Sequence, residues 1–167
     1  PKAKNATVGG RNYIIKGEKA SSLLKAIGIM AENGKIKNDM VRKYNQIDRF
    51  IELISDIDFD ENPNIMDCAC GKSYLSFAVY HYFAVIKGRD VRMTGVDLKE
   101  DVIEFCNATA RDLGFDGLEF LSGDVGKYHT DDKVYFVISL HACDIPVGVN
   151  VGSVMGEIRD ITTVMGM

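Results

Sequence analysis

The stretch IMDCACGKSYLSF, residues 65–77, sets a short apolar run, a carboxylate, two cysteines and Gly71-Lys72-Ser73 side by side. A phosphate loop, a metal site, a redox pair and the glycine turn of a nucleotide-binding fold all draw on such residues. A Walker phosphate loop needs a glycine five residues before its Gly-Lys-Ser, where bare amides wrap the phosphate; Met66 stands there instead. A redox pair needs Cys-x-x-Cys, and Cys68-Ala69-Cys70 is one residue short. Zinc stays open, because His141 and Cys143 follow a later strand whose end neighbours this one in a doubly wound sheet, although burial of small thiols at strand ends explains the cysteines equally well.

The glycine turn uses the most residues. Asp67 ends a strand, Ala69 and Gly71 let the chain turn tightly, and a helix beginning near Ser73 offers free amides to a ligand. A second strand ends in Gly95-Val96-Asp97, where a carboxylate accepts hydrogen bonds from two ribose hydroxyls. A third ends in Ser122-Gly123-Asp124, whose acid can receive the exocyclic amine of adenine. Three acids at the ends of three successive strands carry more weight than any of them alone.

Working outward, apolar runs predict strands at 65–68, 91–96, 118–121 and 134–140, with helices at 74–86 and 101–113, the latter closed by Gly114. Connections this long imply right-handed crossovers and parallel strands. The expected fold is α/β, Rossmann-like and doubly wound, with a mainly parallel sheet and an N-terminal helical extension. Upstream, Val41, Tyr44, Ile47, Phe50, Ile51 and Ile54 form one stripe of a helix over 39–55, with Arg42, Lys43, Asp48, Arg49 and Glu52 on its polar side. Ser21 and Ser22 look like caps of an earlier helix carrying Leu23, Leu24, Ile27 and Met30 and stopped by Asn33-Gly34. Residues 1–20 read as a loose arm. The division expected is a basic arm and helical extension over 1–60 and a Rossmann-like domain over 61–167.

The 167 residues, 46% of them hydrophobic, suffice for one domain with a real core. The net charge of −4 hides an asymmetry: residues 1–50 sum to +7 and residues 51–167 to −11. A basic extension on an acidic domain suggests contact with a polyanion such as RNA, against the plain alternative of a solvated helical surface. No apolar run reaches the length of about 18 residues that a membrane span needs, so no membrane is expected and a cytoplasmic location is the default.

These residues resemble the class I S-adenosylmethionine-dependent methyltransferases. MDCACGKSYLSFAVYHYF is similar to the glycine motif of a subgroup that usually reads Asp-x-Gly-Cys-Gly-Lys-Gly-Tyr-Leu, VRMTGVDLKEDVIEFCNATARDLGF to the acidic second motif, and LEFLSGDVGKY to the third. YFVISLHACD is the most specific piece. Leu-His-Ala-Cys-Asp after the fourth strand resembles a methyltransferase-domain group that includes the eukaryotic glutathione-S-transferase C-terminal-domain-containing protein, and KYNQIDRFIELI is similar to that group's lead-in helix. The likeness covers roughly residues 12–144.

The resemblance implies S-adenosylmethionine as cofactor. Asp67, Ala69, Cys70 and Gly71 would border its methionine end, Asp97 its ribose, and Leu98, Asp124 and Val125 its adenine, with Ser139 completing the cofactor set. His141 and Asp144 would face the methyl acceptor, there to take or orient its proton. Of the two readings of the cysteines, burial is the one expected, and no metal. A related motif in a tRNA ribose 2′-O-methyltransferase family makes RNA the expected acceptor. Ala69 and Ser73 depart from the usual glycines, and after Cys143-Asp144 the chain runs IPVGVNVGSVMGEIRDITTVMGM where the family has further elements. The C-terminal part of the sheet is therefore expected to be incomplete, through a fragment or altered end, or to be completed by a homodimer or another chain at an open edge. A module that holds the cofactor or RNA without catalysis is the rival from another class.

Overall fold

Four parallel strands, β1 (Asn64–Cys68), β2 (Arg92–Asp97), β3 (Leu118–Ser122) and β4 (Phe136–Ile138), lie in the order β3-β2-β1-β4. The computed structural model describes residues 11–57, 62–68, 73–124, 134 and 136–138. The strands sit within two residues of their expected starts. Because β2 and β4 flank β1 on opposite sides, the strand order reverses at β1, and in such sheets ligands bind outside the carboxyl ends at that reversal. Asp67 pairs in register with Gly95 on one side and Ile138 on the other.

The crossovers follow the apolar periodicity. Helix α4 (Glu100–Asp112) buries Ile103, Cys106 and Ala110 and places Glu100 and Asp101 in its first turn, where they complement the helix dipole. It ends as predicted at Gly114, whose φ of 69° completes a Schellman motif: Gly114 N–H donates to Arg111 O and Phe115 N–H to Ala110 O. The apolar helix expected at 74–86 divides into α3 (Tyr74–His81) and a wider π turn, Tyr82–Ile86, closed by Lys87 N–H to Tyr82 O.

Four N-terminal expectations are corrected. Helix α1 covers only Ser21–Ala26, because Gly28, at φ 79°, closes it with the same Schellman pair, Gly28 N–H to Lys25 O and Ile29 N–H to Leu24 O. Asn33-Gly34 belongs instead to a turn joining the Met30–Ile36 bridge, and Ser21 lies inside α1, with Ala20 at its N-cap. Residues 11–20 are no loose arm: Tyr13 stacks on Tyr44 with centroids 4.3 Å apart, and Ile15 is buried. Helix α2 (Val41–Ile54), entered through a 3-10 turn at Asn38–Met40, buries the predicted stripe, with Val41 half-buried. Asp48, expected on the solvent side, is 1% exposed; its Oδ1 accepts the Ile14 and Ile15 amides at 2.9 and 3.0 Å, and its Oδ2 faces Arg11 at 3.3 Å. This carboxylate pins residues 11–15 to α2. One apolar cluster then runs from Tyr13 through α2 and α3 to Ile138 of the sheet. No helix among the described residues is long and apolar enough to cross a membrane.

The outward edge of β3 is covered from within the chain. Asn107 of α4 donates its amide to Phe120 O and accepts the Phe120 N–H, both at 2.8 Å. Both backbone groups are thereby satisfied at a strand edge that would otherwise invite pairing. Asn107→Ala is expected to cost about 2 kcal/mol, since it orphans a donor and an acceptor at once. Urea denaturation reads this directly, and a loss below about 0.5 kcal/mol would leave the side chain no structural weight.

Candidate functional site

Asp67 stands at the reversal point and is 4% exposed. A carboxyl removed from water resists ionisation. Burial pushes Asp67 up to about 7, with nearby Asp97 raising it further and a hydrogen bond from Ser76 opposing both. Ser76 Oγ donates that bond to Asp67 Oδ2 from the adjoining helix α3. Ser76 was not among the residues expected at the site, and its place in α3 beside other buried polar side chains, Tyr80 and His81, gives no local signal of its partner.

On the next strand Asp97 is half-buried at the end of β2. Its Oδ1 accepts the Lys99 N–H at 3.1 Å, fixing the carboxylate over the turn into α4. Its carbonyl accepts Gly123 N–H at 2.9 Å, which ties the end of β2 to the loop after β3 and so to Asp124. Asp124 is exposed. Leu98, between the Asp97 carboxylate and α4, leaves 72% of its surface open, an apolar side chain presented beside hydrogen-bond acceptors. The three acids predicted from sequence thus share one edge of the sheet.

The turn into α3 explains a departure noted in the sequence. Ser73 has φ 61° and ψ 18°, the left-handed region, at the N-cap of α3. Glycine is the usual occupant of such a backbone, and a side chain there costs on the order of 1 kcal/mol. The buried Ser73 hydroxyl compensates in part by a hydrogen bond to Cys106, which lowers that thiol's pKa against the larger upward effect of burial. Cys68 is free and buried, its thiol pushed up to about 12 by burial and the Asp67 charge, which keeps it protonated. No group of three or more metal-ligating residues occurs among the described residues. Ala69, Cys70, Gly71, Val125, Ser139, His141 and Asp144, with Cys143 of the zinc alternative, lie outside the described residues.

Residues 42–147 match the family described as Methyltransferase domain. The chain belongs to that family. No curated protein matches it. The methyltransferase domain is also similar to solved structures. Coclaurine N-methyltransferase bound to N-methylheliamine and SAH superposes with a TM-score of 0.50 at 14% identity, over 70% of this chain and 35% of that one. A SAM-dependent methyltransferase of Thiobacillus denitrificans in complex with S-adenosyl-L-homocysteine gives 0.47 at 19% identity, over 60% and 38%. The Trypanosoma brucei PRMT1 enzyme-prozyme complex with AdoHcy gives 0.38 at 28% identity, over 47% and 23%. The methyltransferase domain therefore spans less than two fifths of each of these proteins, and the first likeness supports the fold alone.

Proposed function

We propose that the chain binds S-adenosylmethionine across the carboxyl ends of β1, β2 and β3 and transfers its methyl group to an acceptor, with RNA the acceptor class. The observation that carries the cofactor is the convergence of Asp67, Asp97 and Asp124 on one sheet edge in a chain of the methyltransferase-domain family. The residues present fit the group. Asp97, steadied by Lys99 N–H, has the chemistry to accept ribose hydroxyls; exposed Leu98 offers apolar surface to an adenine face, and Asp124 with Val125 an acceptor to its amine. Asp67, with Ala69, Cys70 and Gly71, borders the positively charged methionine end, and Ser139 completes the set.

Bound there, the cofactor supplies a methyl group on a sulfonium, an electrophile whose transfer depends chiefly on alignment. His141 and Asp144 hold or take the acceptor's proton, an imidazole being near its titration point at neutral pH. The Leu-His-Ala-Cys-Asp segment supports the narrower placement beside the glutathione-S-transferase C-terminal-domain-containing protein. For RNA, support comes from the +7 balance of residues 1–50 and from Lys43, whose ammonium lies 5.6 Å from the ring of Tyr74 at the start of α3. Part of the basic segment thus stands beside the first residue of α3.

Calorimetric titration with S-adenosylmethionine and S-adenosylhomocysteine, on the native chain and Asp97→Ala, tests the reading. Loss of the ribose contact is expected to weaken binding by about 1 to 3 kcal/mol. Absence of binding to the native chain would refute the cofactor assignment. Binding without methyl transfer to any member of an RNA and small-molecule panel would select a non-catalytic module instead.

A further inference from the structure

We infer that Ser76 is a positioning residue, whose buried hydroxyl fixes the Asp67 carboxyl in one orientation towards a cationic group of the bound ligand. This rests on the S-adenosylmethionine reading above. Ser76 is fully buried in α3 between Leu75 and Phe77, both buried themselves. A hydroxyl in such surroundings is costly unless bonded. Its single proton goes to Asp67 Oδ2, nine residues back at the end of β1. A serine placed for packing alone has an alanine-sized solution at no polar cost, so the hydroxyl's presence points to the acid it holds.

The groups around the acid show what the bond does. Asp67 meets Asp97 from β2 and the thiol of its own neighbour Cys68, while its register partners Gly95 and Ile138 bring no charge. Burial and Asp97 both favour the protonated acid, and the Ser76 bond favours the carboxylate. A cation arriving at this edge needs the carboxylate. Ser76 therefore sets the pH at which Asp67 becomes available to it, and its removal moves that pH upward.

The test is calorimetric titration of S-adenosylmethionine into the full chain and Ser76→Ala between pH 5.5 and 9. Affinity should rise with pH in both, with the Ser76→Ala profile displaced to higher pH. At pH 5.5 the variant should bind about five-fold more weakly, the value of one hydrogen bond, falling to about three-fold near pH 7 and approaching the native chain at pH 9. An equal loss at every pH, or none, would overturn the inference and leave Ser76 a packing residue. Should Ser76→Ala not fold, Ser76→Cys, of similar size and a weaker donor, is read on the same axis. If the native chain binds no S-adenosylmethionine, the cofactor reading fails separately. The Ser76–Asp67 coupling is then read in ligand-free protein, where the midpoint of the Asp67-dependent change in thermal stability should still move up in Ser76→Ala and would stay in place if Ser76 did not hold the acid.

Discussion

Gly117→Ala is expected to lower the free energy of unfolding by about 3 kcal/mol, a severe loss for one methyl group. Gly117 leads into β3 and is the most crowded of the described glycines. Its N–H donates to the Tyr80 hydroxyl at 3.0 Å and its carbonyl accepts Met93 N–H at 2.8 Å, so both its backbone groups are committed. A Cβ there would lie 2.0 Å from the Val91 carbonyl oxygen and 2.9 Å from Tyr80 Oη. The Val91 oxygen is backbone and cannot swing aside, and Tyr80 is buried against Phe115 with ring centroids 4.9 Å apart. The first turn before β3 must therefore move away from β2, breaking the Met93 bond. Gly123→Ala supplies the contrast, since nothing lies within 4 Å of its Cβ and the change should stay within about 0.5 kcal/mol. Urea denaturation of the two variants beside the native chain measures both. Equal midpoints for Gly117→Ala and Gly123→Ala would show that the β2–β3 junction yields far more easily than its geometry indicates.

Gly117 also marks where the sequence stopped being informative. Strands and crossovers were legible because their signals are local: alternating apolar runs, a stripe at helical spacing in α2, and a glycine that closes α4. The placement of Asp67, Asp97 and Asp124 was legible to the same depth, since acids at strand ends are one-dimensional features and the strand order puts them on one edge. What escaped depends on partners distant in the chain. Asp48 looked like a member of a polar helix face, yet the amides it serves are 33 and 34 residues earlier, and nothing near it announces them. Ser76 reads as an ordinary helix residue until its distance to Asp67 is known. Gly28 carried a local stop signal that the apolar positions beyond it obscured, and Ser73 adopts a left-handed backbone that no serine advertises. The π turn at Tyr82–Ile86 falls in the same class, because an apolar run does not reveal where a helix widens.

Replacing the buried acid, Asp67→Asn, is expected to make the ligand-free chain more stable above pH 7 while weakening its hold on S-adenosylmethionine. The folded carboxyl titrates at about 7 against an ordinary value of 3.8, so between those values the native state holds a proton that the unfolded state has released. Stability must then fall as pH rises through this window, and the full cost, about 4 kcal/mol for a shift of this size, is present above pH 7. The amide is nearly isosteric, still accepts the Ser76 hydrogen bond through its oxygen, and does not ionise. His81 acts in the opposite sense: burial holds its pKa below the usual value, so its contribution is complete above pH 6.5 and declines as pH falls below it. Subtracting the Asp67→Asn profile from the native one cancels the His81 part and isolates the acid. Thermal unfolding from pH 4 to 8.5 should give a difference that starts near zero and grows to favour the variant as pH approaches 7. If Asp67→Asn is instead less stable at every pH, the carboxylate is part of the scaffold, satisfied by partners that stabilise its charge. If it is more stable and binds the cofactor as well as the native chain does, the acid serves neither role. The expected pairing, gained stability with lost affinity, is the pattern of a functional group kept at the expense of the fold, and it separates Asp67 from Asp48, whose carboxylate is matched by two amides and a guanidinium.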